Sequence, residues 1–146
     1  MPIFKKQVND TRQGSSPGLE IRDVVGAEHG THALKIVEVT LAPNTRVPRH
    51  AHANTEEAIV VIEGTLDAVL GRERVTVGPG DTILAPAGAV HGFVNRYEAP
   101  ARIMFIYPMH DPEIMTAGAE GAPSGFPSTQ GLTGYRSPQD RPLDRR

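Results

Sequence analysis

His50-Ala51-His52-Ala53-Asn54-Thr55-Glu56-Glu57-Ala58-Ile59-Val60-Val61-Ile62-Glu63-Gly64 is the stretch from which the rest of the chain is read. Its first half carries two imidazoles and two carboxylates. Its second half is apolar at four consecutive positions, Ile59 to Ile62, and stops at a glycine. A short strand that is apolar on both faces is one that something covers on both sides. His50 and His52 stand two apart, and in a strand that spacing puts both rings on one face. Glu57 lies five beyond His52, which is the wrong parity for an unbroken strand. The small and polar residues Ala53-Asn54-Thr55 suit a bend or bulge that restores it.

Outward from this stretch, Gly and Pro punctuate the chain at short intervals, the pattern of strands joined by tight turns. The strands read as Leu19 to Val25, Ala33 to Leu41, Glu57 to Glu63, Thr65 to Leu70, Arg74 to Val77, Thr82 to Ala85, Val90 to Asn95 and Arg102 to Tyr107. Gly71-Arg72-Glu73 makes a hairpin turn, and no long helix is expected before Pro108. Such a chain folds as an all-β, antiparallel barrel or sandwich. Of the thirty residues from Ala117 to Arg146, nine are Gly or Pro and few are apolar, so this part lacks a core of its own. The division expected is an N-terminal arm over 1–18, a β-barrel over 19–110 and a Gly/Pro-rich tail over 111–146.

Composition narrows the chemistry. The chain has 146 residues, no cysteine and a formal charge of −2 with both signs interspersed. A bound metal is therefore held by imidazole and carboxylate, not by thiolate. No basic stripe points to nucleic acid. Met1 to Lys6 lacks the apolar run of a signal peptide, and no apolar stretch approaches the ~18 residues of a membrane span. A cytoplasmic protein without nucleic-acid or membrane partners is the expectation.

A second histidine, His91, follows the turn Pro86-Ala87-Gly88 at the start of a strand. Three imidazoles and one carboxylate that converge suit a divalent first-row metal. Taken singly, each histidine reads as a surface residue; it is the surrounding pattern that strengthens the set. Residues 44–64 resemble the first motif of the cupin superfamily: a turn glycine, five residues, His50-x-His52, a short gap, Glu57, six residues, Gly64. The one departure is Asn44 in place of glycine, a mild one because Asn tolerates left-handed backbone. Residues 80–95 resemble the second motif: Gly80, five residues, Pro86-x-Gly88, two residues, His91, three residues, Asn95. Fifteen residues separate the two, as in compact single-domain members.

The resemblance implies a jelly-roll barrel with His50, His52, Glu57 and His91 as ligands to one divalent transition metal: Fe, Mn, Ni, Co, Cu or Zn. It does not imply one activity, because the fold hosts many. A metal-dependent enzyme acting on a small organic molecule is the first reading, with a dioxygenase-type oxidoreductase favoured. A non-redox enzyme (isomerase, epimerase or lyase) and a non-enzymatic ligand-binding module are the alternatives. The roughly 18 residues before the first barrel strand are too few for a helix-turn-helix unit, which counts against a DNA-binding regulator.

Glu57 is preferred over Glu56 as the ligand by its distance to Gly64, and it is also the candidate catalytic base. Phe93, Ile59, Val61 and Met104 are expected to wall the pocket. Arg46 shares parity with His50 and is placed at the mouth toward an anionic substrate, against a competing reading as a solvated loop residue. Asn95 reads as a turn-stabilising side chain, and His29, His32 and His110 as solvated loop residues. Val60 and Ile62 lie opposite Glu57 yet are apolar. They are expected to be covered, with Leu19 and Ile21 as the cover, within one chain or across a homodimer.

Overall fold

The computed structural model of the chain describes residues 1–7 and 10–116. Its strands are β1 (Arg12–Gln13), β2 (Leu19–Val25), β3 (Lys35–Leu41), β4 (Arg46–Ala51), β5 (Glu57–Glu63), β6 (Leu66–Leu70), β7 (Glu73–Val77), β8 (Thr82–Ala85), β9 (His91–Val94), β10 (Ala101–Tyr107) and β11 (Met115–Thr116). A single 3-10 turn spans Ala27–His29. One sheet has the order β1-β2-β3-β10-β5-β8, the other β11-β4-β9-β6-β7. From β3 onward the chain changes sheet at almost every connection, the β6–β7 hairpin being the exception. This is the all-β class that the strand spacing implies and the jelly-roll architecture that the resemblance implies.

Register decides which side chains enter the core between the sheets. In an antiparallel pair, opposed residues share a face. Ile59 opposes Phe105, Val61 opposes Ile103, and Val37 and Val39 oppose Phe105 and Ile103 from the other side. Ile83 and Ala85 extend this face from β8, opposing Ile59 and Glu57. From the second sheet, Ala68 and Leu70 oppose Phe93 and His91. Phe93, Leu41, Ile59, Leu66 and Ile103 have lost essentially all solvent contact. The core thus ends, along β5 and β9, in a carboxylate and an imidazole.

Among the described residues, the outer face is not covered within one chain. Val60 is half-buried and Ile62 is exposed, so the described residues leave that face largely uncovered. Leu19 and Ile21 do not cover it, because β2 joins the same sheet edge-on and opposes Leu41 and Val39. Both side chains therefore turn inward, and Leu19 is part of the core. The region expected as an N-terminal arm contributes a short strand, β1, that pairs with β2. The expected tail begins by folding back, since β11 pairs with β4 through Met115↔Ala51 and Thr116↔His50. Residues 117–146 lie outside the described residues.

Several turns use left-handed backbone, and two of them bear on the motifs. Asn44 has φ 60°, the conformation for which the resemblance expects glycine. Gly64 has φ 79°, and a Cβ there would stand 2.6 Å from the Pro100 carbonyl oxygen. Asn95 is fully buried and stabilises turns as expected. Its amide donates to the carbonyls of Leu41 and Ala99, and its oxygen accepts from the Tyr97 N–H.

Candidate metal centre

His50 sits near the end of β4 and faces His91 at the start of β9, the two being register partners. Glu57 opens β5 in the opposite sheet. His52 lies just past the end of β4, in the connection that carries the chain across to β5. The parity problem between His52 and Glu57 is thus resolved by a change of sheet between Ala51 and Glu57. No bulge within a single strand is involved. The candidate ligand set is spread over β4, β5, β9 and one connection.

The four side chains are buried, and one ligand atom from each lies within 4.8 Å of the others. Ring centroids are 4.4 Å apart for His50 and His91 and 5.0 Å apart for His50 and His52. Every imidazole is tied by its Nδ1 to a backbone carbonyl: His50 to Pro48 at 2.8 Å, His91 to Ala89 at 2.9 Å and His52 to Glu113 at 2.8 Å. If each Nδ1 donates to its carbonyl, the Nε2 lone pairs are left as ligand atoms, the arrangement metal-binding histidines use. His52 Nε2 stands 3.4 Å from Glu57 Oε2, and His91 Nε2 contacts Glu57 Oε1. These two nitrogens and both Glu57 oxygens are buried without a well-formed hydrogen bond. Buried polar atoms are almost always partnered. Four of them aimed at one point, with imidazole and carboxylate donors, fit a first-row divalent metal.

The electrostatics agree. Burial, reinforced by the neighbouring His91, pushes the His50 pKa down to about 4, so its ring is neutral and ready to ligate at neutral pH. Burial also works against charge on Glu57, but the close approach and charge of His52 and His91 outweigh it and hold the carboxyl at about 2. Burial opposes protonation of His52, yet the Glu57 carboxylate and the Glu113 carbonyl together raise its pKa.

Of the expected pocket walls, Phe93, Ile59 and Val61 are fully buried on the face that carries the site. Met104 is not among them. It opposes Val60 and Glu38, and so stands on the outer face. Arg46 also faces away. A bulge between Val47 and His50 reverses the parity, so Arg46 opposes Val94 and is exposed. Gly92 admits that bulge, since a Cβ there would come within 2.9 Å of the Val47 carbonyl oxygen. Glu56 is exposed while Glu57 is buried.

Two wall residues escaped the sequence reading. Phe105 lies 6.0 Å from Phe93 in an edge contact, and Tyr107 presents its ring to His52 at 5.2 Å. Burial, with the Glu57 carboxylate alongside, raises the Tyr107 pKa and keeps the phenol protonated. The only signal for them was alternation in β10, and that strand is apolar on both faces.

Two of the histidines outside the motifs, His29 and His110, are less solvated than expected. His29 Nδ1 accepts from the Gly26 N–H and its ring meets Phe4, while His110 bonds the Thr31 hydroxyl. His32 is exposed, as expected. Among the described residues no helix is long and apolar enough to cross a membrane.

Comparison with known proteins places this geometry. The family model for the cupin domain matches residues 37–107. The chain is 29% identical over 92 residues to the tetracenomycin polyketide synthase protein TcmJ of Streptomyces glaucescens, covering 63% of this chain and 59% of that protein. The chain thus matches about three fifths of that relative's length. The solved structure of the polyketide cyclase RemF from Streptomyces resistomycificus superimposes with a TM-score of 0.67 at 26% identity, covering 82% of this chain and 89% of RemF. A sugar phosphate isomerase of the cupin superfamily from Silicibacter pomeroyi gives a TM-score of 0.58 at 31% identity over 62% of this chain and 59% of that one. With both motifs folded around a His₃Glu cluster at the end of a jelly-roll core, the chain belongs to the cupin superfamily.

Proposed function

We propose that this protein is a metal-dependent enzyme whose substrate is a small molecule rich in ketone oxygens, of the polyketide kind. The observation that carries the reading is the convergence of His50, His52, Glu57 and His91 beside an apolar interior walled by Phe93, Ile59 and Phe105. The likeness to TcmJ and RemF supports the substrate class. A divalent transition metal held by these four residues supplies Lewis-acid polarisation of a substrate oxygen. The apolar walls exclude water and accept the carbon skeleton, while offering little to the many hydroxyls of a sugar.

Glu57 is the one carboxylate of the cluster, and in this reading it takes the proton from a carbon flanked by two carbonyls. That carbon then attacks a ketone carbonyl of the same molecule. The new C–C bond closes the ring, the alkoxide recovers the proton that Glu57 took, and loss of water then leaves a double bond in the ring. Tyr107 stays protonated beside Glu57. The second reading is oxygen-dependent cleavage of the same enolisable unit, and the water-excluding walls favour it equally.

The test pairs wild type with Glu57→Gln, each metal-loaded, on a panel of 1,3-diketones and short poly-ketones. Ring formation without oxygen uptake supports cyclisation, and oxygen consumption supports cleavage. Full turnover by Glu57→Gln would remove Glu57 from the chemistry. A wild type that binds metal but transforms nothing would point to a ligand-binding module. The apolar outer face, with Leu84 and Ile62 exposed and Val60, Met104 and Ile106 half-buried, supports a homodimer. A light-scattering mass of one chain, 15.7 kDa, would refute it.

A further inference from the structure

His50 and His91 find their Nδ1 partners locally, at the carbonyls of Pro48 and Ala89, each two residues back along the chain. His52 does not. Its partner is the carbonyl of Glu113, sixty-one residues away, in the segment that follows β10 and leads into β11. The orientation of this one imidazole therefore depends on a distant stretch of chain reaching the site and staying there.

Asn54 holds that stretch. Its amide donates to the Asp111 carbonyl at 3.2 Å, and its oxygen accepts from the Glu113 N–H at 2.9 Å. The two bonds bracket Pro112, whose ring already restricts φ, so one side chain fixes the strap on either side of a stiff residue. The next backbone group is the Glu113 carbonyl that faces His52. Beyond it β11 pairs with the edge of β4, opposite Ala51 and His50. Asn54 belongs to the same short connection as His52, so the clasp and the ring it serves move together.

We infer that Asn54 is a positioning residue: it clasps the Asp111–Thr116 strap so that the Glu113 carbonyl orients the His52 ring toward the metal position. The inference rests on the metal-binding reading above for its functional meaning. The contact itself can be measured without metal. Removing an outer partner of a metal-binding histidine typically weakens metal binding by about 10- to 100-fold.

The test compares the full-length wild type with Asn54→Ala and Asn54→Asp. Asparagine to aspartate keeps an acceptor for the Glu113 N–H and loses the donor to Asp111. Two readouts are taken: the His52 Nδ1–H signal of metal-free protein in ¹H–¹⁵N spectra, and Co²⁺ affinity by chelator competition. A Nδ1–H shielded by the Glu113 carbonyl exchanges slowly and is visible. The expected result is loss of that signal in Asn54→Ala together with roughly tenfold weaker Co²⁺ binding, with Asn54→Asp between the two. Circular dichroism of the metal-free variants should stay that of the wild type, which separates positioning from misfolding. An Asn54→Ala variant that keeps both the signal and the affinity overturns the inference. A wild type that shows the Nδ1–H signal yet binds no Co²⁺ overturns the metal reading instead, and leaves the clasp standing.

Discussion

Acid should destabilise the metal-free protein through His50 before any carboxylate titrates, and one substitution should remove the effect. Burial and the adjacent His91 hold the His50 pKa at about 4, against an ordinary 6.5. The unfolded chain therefore takes up a proton at this residue over a pH range in which the folded chain refuses it. Stability rises with pH wherever the unfolded state binds more protons. The His50 contribution is thus complete above the unfolded value and is lost as pH falls from 6.5 toward 4. The shift corresponds to about 3 kcal/mol at the lower end of the window and about 2 kcal/mol at pH 5.

Two neighbours titrate outside this window. Glu57, held at about 2, loses its contribution only as pH falls below its ordinary 4.5. His52, raised above its ordinary value, contributes fully below 6.5 and loses that contribution only as pH rises through its folded value. The assay is urea unfolding in excess chelator at a series of pH values from about 7 to 4.5, on wild type and His50→Gln. The variant keeps a polar side chain of similar size but cannot titrate, so its stability should fall less, by about 2 kcal/mol at pH 5. Parallel pH profiles for the two proteins would refute the claim that His50 is buried and neutral.

The remaining expectations concern ligand choice and packing. Glu57→Gln should weaken metal binding at least tenfold, whereas Glu56→Gln, on an exposed side chain, should leave it unchanged; a chelator titration of both checks the assignment. Phe93→Ala, at a fully buried wall residue in edge contact with Phe105, should cost about 3–5 kcal/mol in denaturant unfolding. Gly64→Ala combines left-handed backbone with a Cβ pressed on the Pro100 carbonyl, and should cost more than the 1–2 kcal/mol of the backbone alone; a smaller loss would mean that the turn relaxes.

The sequence by itself determined the all-β class, most of the strands and the candidate ligand set His50, His52, Glu57 and His91. These features rest on local spacing: Gly and Pro turns, a His-x-His pair, and glycines whose positions relative to the histidines can be counted. Glu57 was distinguishable from Glu56 for the same reason, by its distance to Gly64. What the sequence could not determine is which face a side chain takes wherever both faces are apolar or a strand is interrupted. In β10, Ile103, Met104, Phe105 and Ile106 are all apolar, so alternation carries no phase, and only pairing with β3 and β5 puts Phe105 and Tyr107 inside and Met104 outside. In β4 a bulge seated on Gly92 reverses the parity of Arg46 relative to His50. Glu57 joins the histidines because the chain crosses between sheets after His52. The Glu113 carbonyl reaches His52 only because the chain after β10 returns along the edge of β4. Each is a contact between residues far apart in the chain, set by the packing of two sheets, and no local pattern encodes it.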